Sequence, residues 1–394
     1  MHRSCSRFSK DSMKLGTRRI FGSLTAVAVV CLLGAVGVAS QAVPAQTAPE
    51  AAMTTDQAFK NVILLKGIPV DTFFDAMGMF ANAMGNDCTF CHSPKAALDR
   101  DAFAEPTPRI ARARQMIVMM NTINKNFFQG QPRVTCFTCH GGNQIPRSDP
   151  NLALQYSTPV EDPNVRDFRA DPTLSATAVF DKYIQAVGGA ERLARLTSFT
   201  AKGTYSGFDT AFDEVPVEIY AKAPNQYATV VHMSGGTSFR SYNGANGWIA
   251  GPDIAVPLMT LTSGNLDRAR LEAMASFPAG LRQAFGQWRV GRAVLNDEEV
   301  TVVQAMEGGQ PIANLYFDPS GLLVRLVRWT LTPVGFVPTQ IDYADYREVA
   351  GVRIPFHKTV TQTYMQMKLQ LNDVQPNTAI DPARFAKPAP FRRG

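Results

Sequence analysis

Four of the six cysteines are arranged as two copies of one short pattern, Cys-x-x-Cys-His, at Cys88–His92 and Cys136–His140. Two thiols about one helical turn apart can each form a thioether to a vinyl group of one haem, and the next histidine then offers its imidazole to the iron. Each copy therefore predicts one covalently attached haem c. The residues predicted to bind the two haems are Cys88, Cys91, His92, Cys136, Cys139 and His140.

Two other uses of these cysteines are possible. Four thiolates in two Cys-x-x-Cys pairs can hold one zinc ion, and each pair can act as a thiol redox couple. Neither use explains why a histidine directly follows both pairs, as His92 and His140 do. Exported proteins normally use their cysteines for disulfides. Here all four cysteines that follow the leader lie in Cys-x-x-Cys-His motifs instead, and this arrangement favours haem.

The first 45 residues predict an export signal or a membrane anchor. Basic residues are concentrated in residues 1–19, the apolar run Ile20–Ala39 follows, and small residues come after it. This order is typical of a cleavable signal peptide, although a run of about 20 apolar residues is also long enough to span a membrane. Both alternatives place the rest of the chain outside the cytoplasm, in the periplasm. The other two cysteines, Cys5 and Cys31, lie within this leader.

The charge of the chain is informative mainly through its location. The formal net charge is +6, but most of the excess lies in residues 1–19, and the rest of the chain is nearly balanced. A nucleic-acid-binding protein needs basic residues clustered on a folded face. The sequence therefore predicts no nucleic-acid partner.

Two helices are predicted beside the motifs, and both carry methionines. In Val70–Met84 apolar residues recur at helical spacing, with Asp71 as the expected N-cap and Gly85 as the expected stop. The second helix is expected over about 107–128, with a proline at its favoured first position. A thioether is a good sixth ligand for haem iron, and a Met/His pair raises the reduction potential. Stripes of methionine also occur in ordinary cores, so packing is the alternative for most of these side chains.

Several short segments around the motifs carry a resemblance to a known family. Besides the two motifs they are Leu65-Lys66-Gly67, Ala111–Met116, Ile123-Asn124, Val134-Thr135, Gly142 and Pro146. With these segments, residues of about 58–150 resemble the cytochrome c subunit of photosynthetic reaction centres, in the half that holds its first two haems. In that family an axial methionine lies on the helix before each attachment site. The resemblance implies Met77 for the haem on His92 and Met116 for the haem on His140. The competing positions are Met84, Met119 and Met120.

The sequence also departs from that family. It has two attachment motifs where the family has four, and no histidine lies in 124–135, where the family carries one for a further haem. Gly141 stands in place of an arginine expected after the second motif. The resemblance therefore implies electron transfer without implying photosynthesis. A two-haem relative that serves respiration or extracellular electron flow is the preferred interpretation.

The whole chain predicts an α + β architecture. Residues 55–150 are expected to form a mostly α-helical dihaem c-type cytochrome domain, 151–174 a proline-rich linker that acts as an extended tether, and 175–390 a second domain. In that domain turn sequences separate strand-like runs, which predicts a curved antiparallel sheet, or half-barrel, with helices on one face. It weakly resembles the half-barrel of periplasmic lipoprotein-carrier proteins, which implies at most an apolar groove.

The elements expected in the second domain alternate with these turns. The expected helices are 176–196, Leu266–Ala275 and Pro278–Trp288. The expected strands are Phe199–Tyr205, Val215–Ala221, Ala228–His232, Thr237–Tyr242, Gly247–Ala250, Val300–Ala305, Ala313–Phe317, Leu322–Leu331, Thr339–Arg347, Val352–Thr361 and Tyr364–Val374.

Together these features predict an electron carrier and not an enzyme. The expected partners are redox proteins, among them a membrane-bound complex, with an apolar ligand as a further candidate for the second domain. One alternative is a dihaem peroxidase-type enzyme, which needs an open axial position; another is a ligand-binding or partner-binding protein with accessory haems. The histidines of the second domain, His232 and His357, are interpreted as structural.

Overall fold

The computed structural model describes residues 51–97, 99–157, 162 and 164–392. The predicted leader, residues 1–45 with Cys5 and Cys31, lies outside this range. Within the described residues, no helix combines the length and apolar character needed to cross a membrane.

The first hundred described residues are helical and contain both motifs. Helix α2 has the predicted bounds, and it ends because Gly85 adopts the left-handed conformation at φ 63°. Helix α3 begins, as predicted, after Thr107, whose side chain accepts a hydrogen bond from the backbone N–H of Ile110. The helices of this part are α1 (Thr55–Ala58), α2 (Val70–Met84), α3 (Pro108–Phe127), α4 (Cys136–His140) and α5 (Leu152–Gln155), with 3₁₀ turns at Cys88–Phe90, Pro94–Ala97 and Arg100–Ala104.

A curved sheet of 13 antiparallel strands forms the rest of the molecule. The strands lie in the order β6-β5-β4-β3-β2-β1-β13-β12-β11-β10-β9-β8-β7, so two meanders meet where the first and last strands pair. The α + β class and the curved antiparallel sheet are thus confirmed. The strands are β1 (Ser198–Gly207), β2 (Val215–Lys222), β3 (Gln226–Met233), β4 (Gly236–Tyr242), β5 (Gly247–Ala250), β6 (Met259–Thr260), β7 (Gln287–Leu295), β8 (Glu298–Glu307), β9 (Gln310–Phe317), β10 (Leu323–Thr332), β11 (Gly335–Val349), β12 (Val352–Thr361) and β13 (Gln366–Pro376).

The helices of the second half cover one face of this sheet. The helix expected over 176–196 is two helices, because Gly188 and Gly189 both have positive φ and break it. The helix expected over Pro278–Trp288 is wrong after Gln283, since a strand begins at Gln287 and pairs with β8 along its whole length. The helices are α6 (Ala176–Ala186), α7 (Ala190–Arg195) and α8 (Ser263–Ser276), with 3₁₀ turns at Phe208–Thr210, Pro278–Gln283 and Pro382–Phe385.

The described residues form four apolar cores, and two of these hold together the sheet, its helices and the motif-bearing helices. The larger lies between the sheet and α6–α8, and includes the fully buried Leu271, Leu315 and Leu326. The smaller joins the methionine-bearing helices to the turn between β10 and β11. Its buried members are Leu65, Ala76, Met79, Ile117, Met120, Val334 and Val337. The sheet therefore supplies one wall of the core that supports the motifs.

Segment 164–171 lies along the sheet. The side chain of Gln304 donates to the carbonyl of Arg166 at 2.7 Å, and the Asp171 N–H donates to the carbonyl of Val290 at 2.8 Å. The Arg166 guanidinium stacks 3.5 Å from the centre of the Phe336 ring. This part of the chain, expected to be an extended tether, is fixed to the strands by polar contacts.

Two carboxylates of α2 bind the N-terminus of α8. Asp71 accepts hydrogen bonds from the backbone N–H and the hydroxyl of Thr262, at 2.6 and 2.7 Å, and Asp75 accepts from the Asn265 amide at 2.7 Å. Asp71 was expected to cap α2, but Pro69 occupies that position and Asp71 satisfies the free N–H at the start of α8 instead. The methionine-bearing helix α2 is thereby joined to the β-rich part.

We expect Asp71→Ala to lower the free energy of unfolding by about 1–3 kcal/mol, because it removes two hydrogen bonds at the start of α8 and leaves half-buried donors of Thr262 unsatisfied. Urea denaturation monitored by circular dichroism measures this. Asp101→Ala is the matched control: its ion pair with Lys60 is exposed, so its removal should cost less than about 1 kcal/mol. An equal effect of the two substitutions would contradict a joining role for Asp71.

Candidate functional site: two Cys-x-x-Cys-His turns

The first motif forms a tight turn directly after α2. Asp87 begins the turn by accepting a hydrogen bond from the Thr89 N–H at 2.8 Å, and the His92 N–H donates to the Cys88 carbonyl at 3.0 Å. The hydroxyl of Thr107, at the start of α3, donates to the carbonyl of Cys91 at 3.0 Å. The turn is thus fixed at both ends, and both thiols and the imidazole come from one short helical segment.

The second motif is itself a short helix, α4. Thr135 and Thr138 form a reciprocal cap at its start, and Gly141, at φ 55°, ends it. The motif also contacts the end of α2, because the Gly142 N–H donates to the carbonyl of Ala83 at 3.0 Å. Gly85 lies so close to this point that a Cβ there would come within 2.3 Å of the Gly142 carbonyl oxygen. The close approach explains a glycine at this position independently of its role as helix stop.

The two motif histidines have different surroundings. In the second motif His140 Nδ1 lies 3.0 Å from the carbonyl oxygen of Asn143. A proton on Nδ1 would make this a hydrogen bond and leave Nε2 with the free lone pair that a metal needs. In the first motif the pKa of His92 is lowered because burial disfavours the imidazolium, and its ring lies edge-on to Phe103 with 5.2 Å between the centroids. A neutral imidazole is the form that binds iron.

None of the four motif thiols is in a disulfide. Burial raises the pKa of Cys91 and Cys136, the latter to about 11. Redox couples and catalytic cysteines instead have lowered pKa values. Among the described residues, no group of three or more histidine, cysteine or acidic side chains is close enough to share a metal ion.

The predicted methionines lie on the two helices next to these turns. Met77, on α2, is half-buried and packs against the smaller core, as Cys136 does. Met116, on α3, is also half-buried. Of the competing positions, Met120 is buried inside the smaller core and Met119 is 45% exposed. The structure therefore keeps the side chains of Met77 and Met116 at the border between core and surface.

Apolar side chains remain exposed on α3 and α4. Val118 is 53% exposed, Phe127 76% and Phe137 48%, although each is large and hydrophobic. Exposed apolar side chains on the helices beside the two thiol pairs suit contact with a large apolar group. The donor set and the exposed apolar side chains both fit covalently attached haem c.

The two remaining histidines of the described chain lie in the sheet. Nε2 of His232 is 2.8 Å from a carboxylate oxygen of Glu218, and Nδ1 of His357 is 3.0 Å from the side-chain oxygen of Gln370. Both side chains take part in contacts between strands, which agrees with their interpretation as structural residues.

Comparison with known proteins supports the same class. Residues 9–164 match the family described as photosynthetic reaction centre cytochrome C subunit. The cytochrome c subunit of the reaction centre of Rubrivivax gelatinosus is 24% identical over 283 residues, covering 64% of this chain and 68% of that protein. The corresponding subunit of Roseobacter denitrificans is 30% identical over 99 residues, covering 21% of this chain and 26% of that protein.

Solved structures resemble the β-rich part. A LolA superfamily protein from Nitrosomonas europaea has 12% sequence identity and a TM-score of 0.36, covering 55% of this chain and 99% of that one. A DUF1329 family protein from Desulfovibrio piger has 8% identity and a TM-score of 0.34, covering 53% of this chain and 96% of that one. These likenesses concern the fold alone.

The motif turns carry the donor set of a c-type cytochrome, and the family that matches residues 9–164 is a cytochrome c subunit. More particularly, the chain is similar to the cytochrome c subunits of photosynthetic reaction centres, and the resemblance drawn from its motifs is confirmed.

Proposed function

We propose that this protein is an exported, periplasmic dihaem cytochrome c that transfers electrons through two covalently bound haems with His/Met axial ligation. The observation that carries the proposal is that every cysteine of the described chain lies in a Cys-x-x-Cys-His turn. Bound there, haem supplies an iron that changes between the ferric and ferrous states. The protein is an electron carrier, not an enzyme.

The chain's own residues have distinct tasks in this proposal. Cys88 and Cys91 hold one haem and Cys136 and Cys139 the other, while His92 and His140 each provide one axial nitrogen. Met77 and Met116 provide the thioethers on the opposite sides. Because a methionine ligand favours ferrous iron, both sites would have raised reduction potentials. The contact of His140 Nδ1 with the Asn143 carbonyl supports a fixed ring orientation.

The partners in this proposal are redox proteins, including a membrane-bound complex. Named relatives of this chain are subunits of reaction centres, which supports a partner of that kind. The leader, residues 1–45, would bring the chain to the periplasm and, if it is not cleaved, anchor it to the inner membrane. An anchored chain would hold its haems beside the membrane surface, and a cleaved chain would reach that surface by diffusion.

The β-rich domain, residues 175–390 in this proposal, has a second task. Its sheet and helices enclose two cavities lined mainly by tyrosine and aliphatic side chains. This observation favours a bound ligand with an apolar part. The linker of the proposal, residues 151–174, connects this domain to the cytochrome domain 55–150.

The test is a haem count on the protein purified from the periplasm of a host with cytochrome c maturation. We expect a pyridine haemochrome spectrum of c-type haem with two haems per chain, and an intact mass equal to the chain plus two haems. The same mass reports whether the leader has been removed. A colourless protein with zinc or disulfides at the four cysteines would refute the proposal.

A further inference from the structure

The cavity between the sheet and α8 contains a buried guanidinium, that of Arg268, whose Nε has no hydrogen-bond partner among the described residues. The cavity has a volume of about 80 Å³. Since about 10–15 Å³ suffices for one water molecule, this one has room for a small organic group. Its wall is mostly aromatic and aliphatic, with contributions from Tyr205, Tyr242, Ile249, Leu261, Val360 and Met367. A second cavity of about 50 Å³ shares Tyr227, Glu272 and Leu369 with it.

Arg268 lies on α8 and lines this cavity. Its side chain is buried, with 8% of the residue exposed, and it makes no hydrogen bond or ion pair with any residue that the structure describes. A buried guanidinium without a partner costs free energy, because it loses water without gaining a counter-charge. Native proteins rarely keep such a group unless something pairs with it.

The other charged side chains of the cavity are already paired. Arg240 donates to Asp253 at 3.2 Å, and Glu272 accepts from Lys358 at 2.5 Å. Two acids act on Arg268 by their charge without contacting it: Glu272, which is already paired with Lys358, and Asp75. The Asp75 carboxylate accepts from Asn265, and burial raises its pKa to about 7, so it offers Arg268 less than a full negative charge at neutral pH. One positive charge in the cavity is therefore left without a contacting anion.

We propose that this cavity binds a small organic monocarboxylate, whose carboxylate pairs with Arg268 and whose apolar tail lies against the tyrosine and aliphatic wall. A guanidinium presents two parallel donors that match the two oxygens of a carboxylate. A single negative charge suits the one unpaired cation, whereas a dianion would bring a second charge into the apolar cavity. This sharpens the second task proposed for the β-rich domain and is independent of haem attachment.

Hexanoate is a suitable probe, with 1-hexanol as the neutral molecule of the same chain length. Isothermal titration calorimetry on the full-length haem-loaded protein should show hexanoate binding at least about tenfold tighter than hexanol, because the charge-assisted hydrogen bonds need the carboxylate. Arg268→Met should weaken hexanoate binding by about the same factor and raise the melting temperature of the ligand-free protein. Arg268→Lys should retain part of the affinity.

Arg328→Met is the matched control. Arg328 is equally buried but donates to Asp267 at 2.7 Å and does not line the cavity, so its replacement should lower stability and leave hexanoate affinity unchanged. Equal affinity for hexanol and hexanoate, or unchanged hexanoate binding in Arg268→Met, would overturn the proposal. Haem content, read from the absorbance of the same samples, reports separately on the electron-transfer proposal.

Discussion

A protein with Cys136→Ala and Cys139→Ala is expected to carry one haem per chain instead of two. In the proposed function each motif supplies both thioether sulfurs and the axial histidine from one short segment, so loss of one attachment site should leave the other intact. The c-type absorbance per chain should fall by about half, and the intact mass should fall by one haem. The reciprocal variant, Cys88→Ala with Cys91→Ala, should give the same haem count with a different spectrum.

The two attachment sites are not expected to be equal for stability. Cys136 packs against the smaller core, which also contains side chains of the turn between β10 and β11, whereas Cys88 is exposed. Loss of the second haem should therefore lower the melting temperature more than loss of the first. Differential scanning calorimetry of the two double variants compares them directly.

Thr138→Ser is the matched control for the second motif. It keeps the hydroxyl that takes part in the reciprocal cap of α4 and leaves both sulfurs unchanged, so two haems should remain. Two haems on the Cys136/Cys139 variant would show that these thiols are not the attachment points. Stoichiometric zinc in the parent protein, lost in either double variant, would instead support a shared metal site.

The local elements were the ones that the sequence predicted well. Helix α2 has the predicted bounds because its signals, helical periodicity and a left-handed Gly85, act within a few residues of one another. The same holds for α3, where Thr107 and Pro108 mark the start. In the sheet most strands were predicted from turn residues that lie directly between them.

The elements that were missed depend on distant partners. Strand β7 begins where a helix was expected, since Trp288 and its neighbours pair with β8 and pack beneath α6. Asp71 is a residue type that often caps a helix and lies near the start of α2, but it binds Thr262, which lies 191 positions away in the sequence. No local pattern carries such information, because propensity and periodicity describe a segment and not its neighbours in space.

The candidate site shows the same division. The Cys-x-x-Cys-His turns were recognisable because their chemistry is contained in five consecutive residues. The sequence did not predict the contact between the second motif and the end of α2, through Gly142 and Ala83. The unpaired Arg268 was also missed, since a lone arginine in a helix has no distinctive sequence signal and its burial follows from the tertiary fold alone.

Replacing the proposed axial methionines should change one haem at a time. In Met77→Ala and Met116→Ala, loss of the thioether should leave one iron with an open or water-filled position and lower its potential by on the order of 100 mV, within the about 0.8 V range that axial ligands span. The weak near-infrared band of Met-ligated ferric haem should lose about half its intensity in each variant, and a high-spin signal should appear. Spectroelectrochemical titration measures both changes.

Helix α2 contacts the second motif as well as leading into the first, so Met77 could serve either haem. The resemblance assigns Met77 to the haem on His92, yet α2 also carries Ala83, whose carbonyl binds Gly142 just beyond His140. Combining Met77→Ala with Cys136→Ala and Cys139→Ala settles the assignment: if Met77 serves the haem on His92, the one remaining haem should be high-spin. The control is Met119→Ala, which alters an exposed side chain on α3 and should leave both potentials unchanged. A remaining haem that stays low-spin with its near-infrared band intact would show that Met77 is not the ligand of that haem.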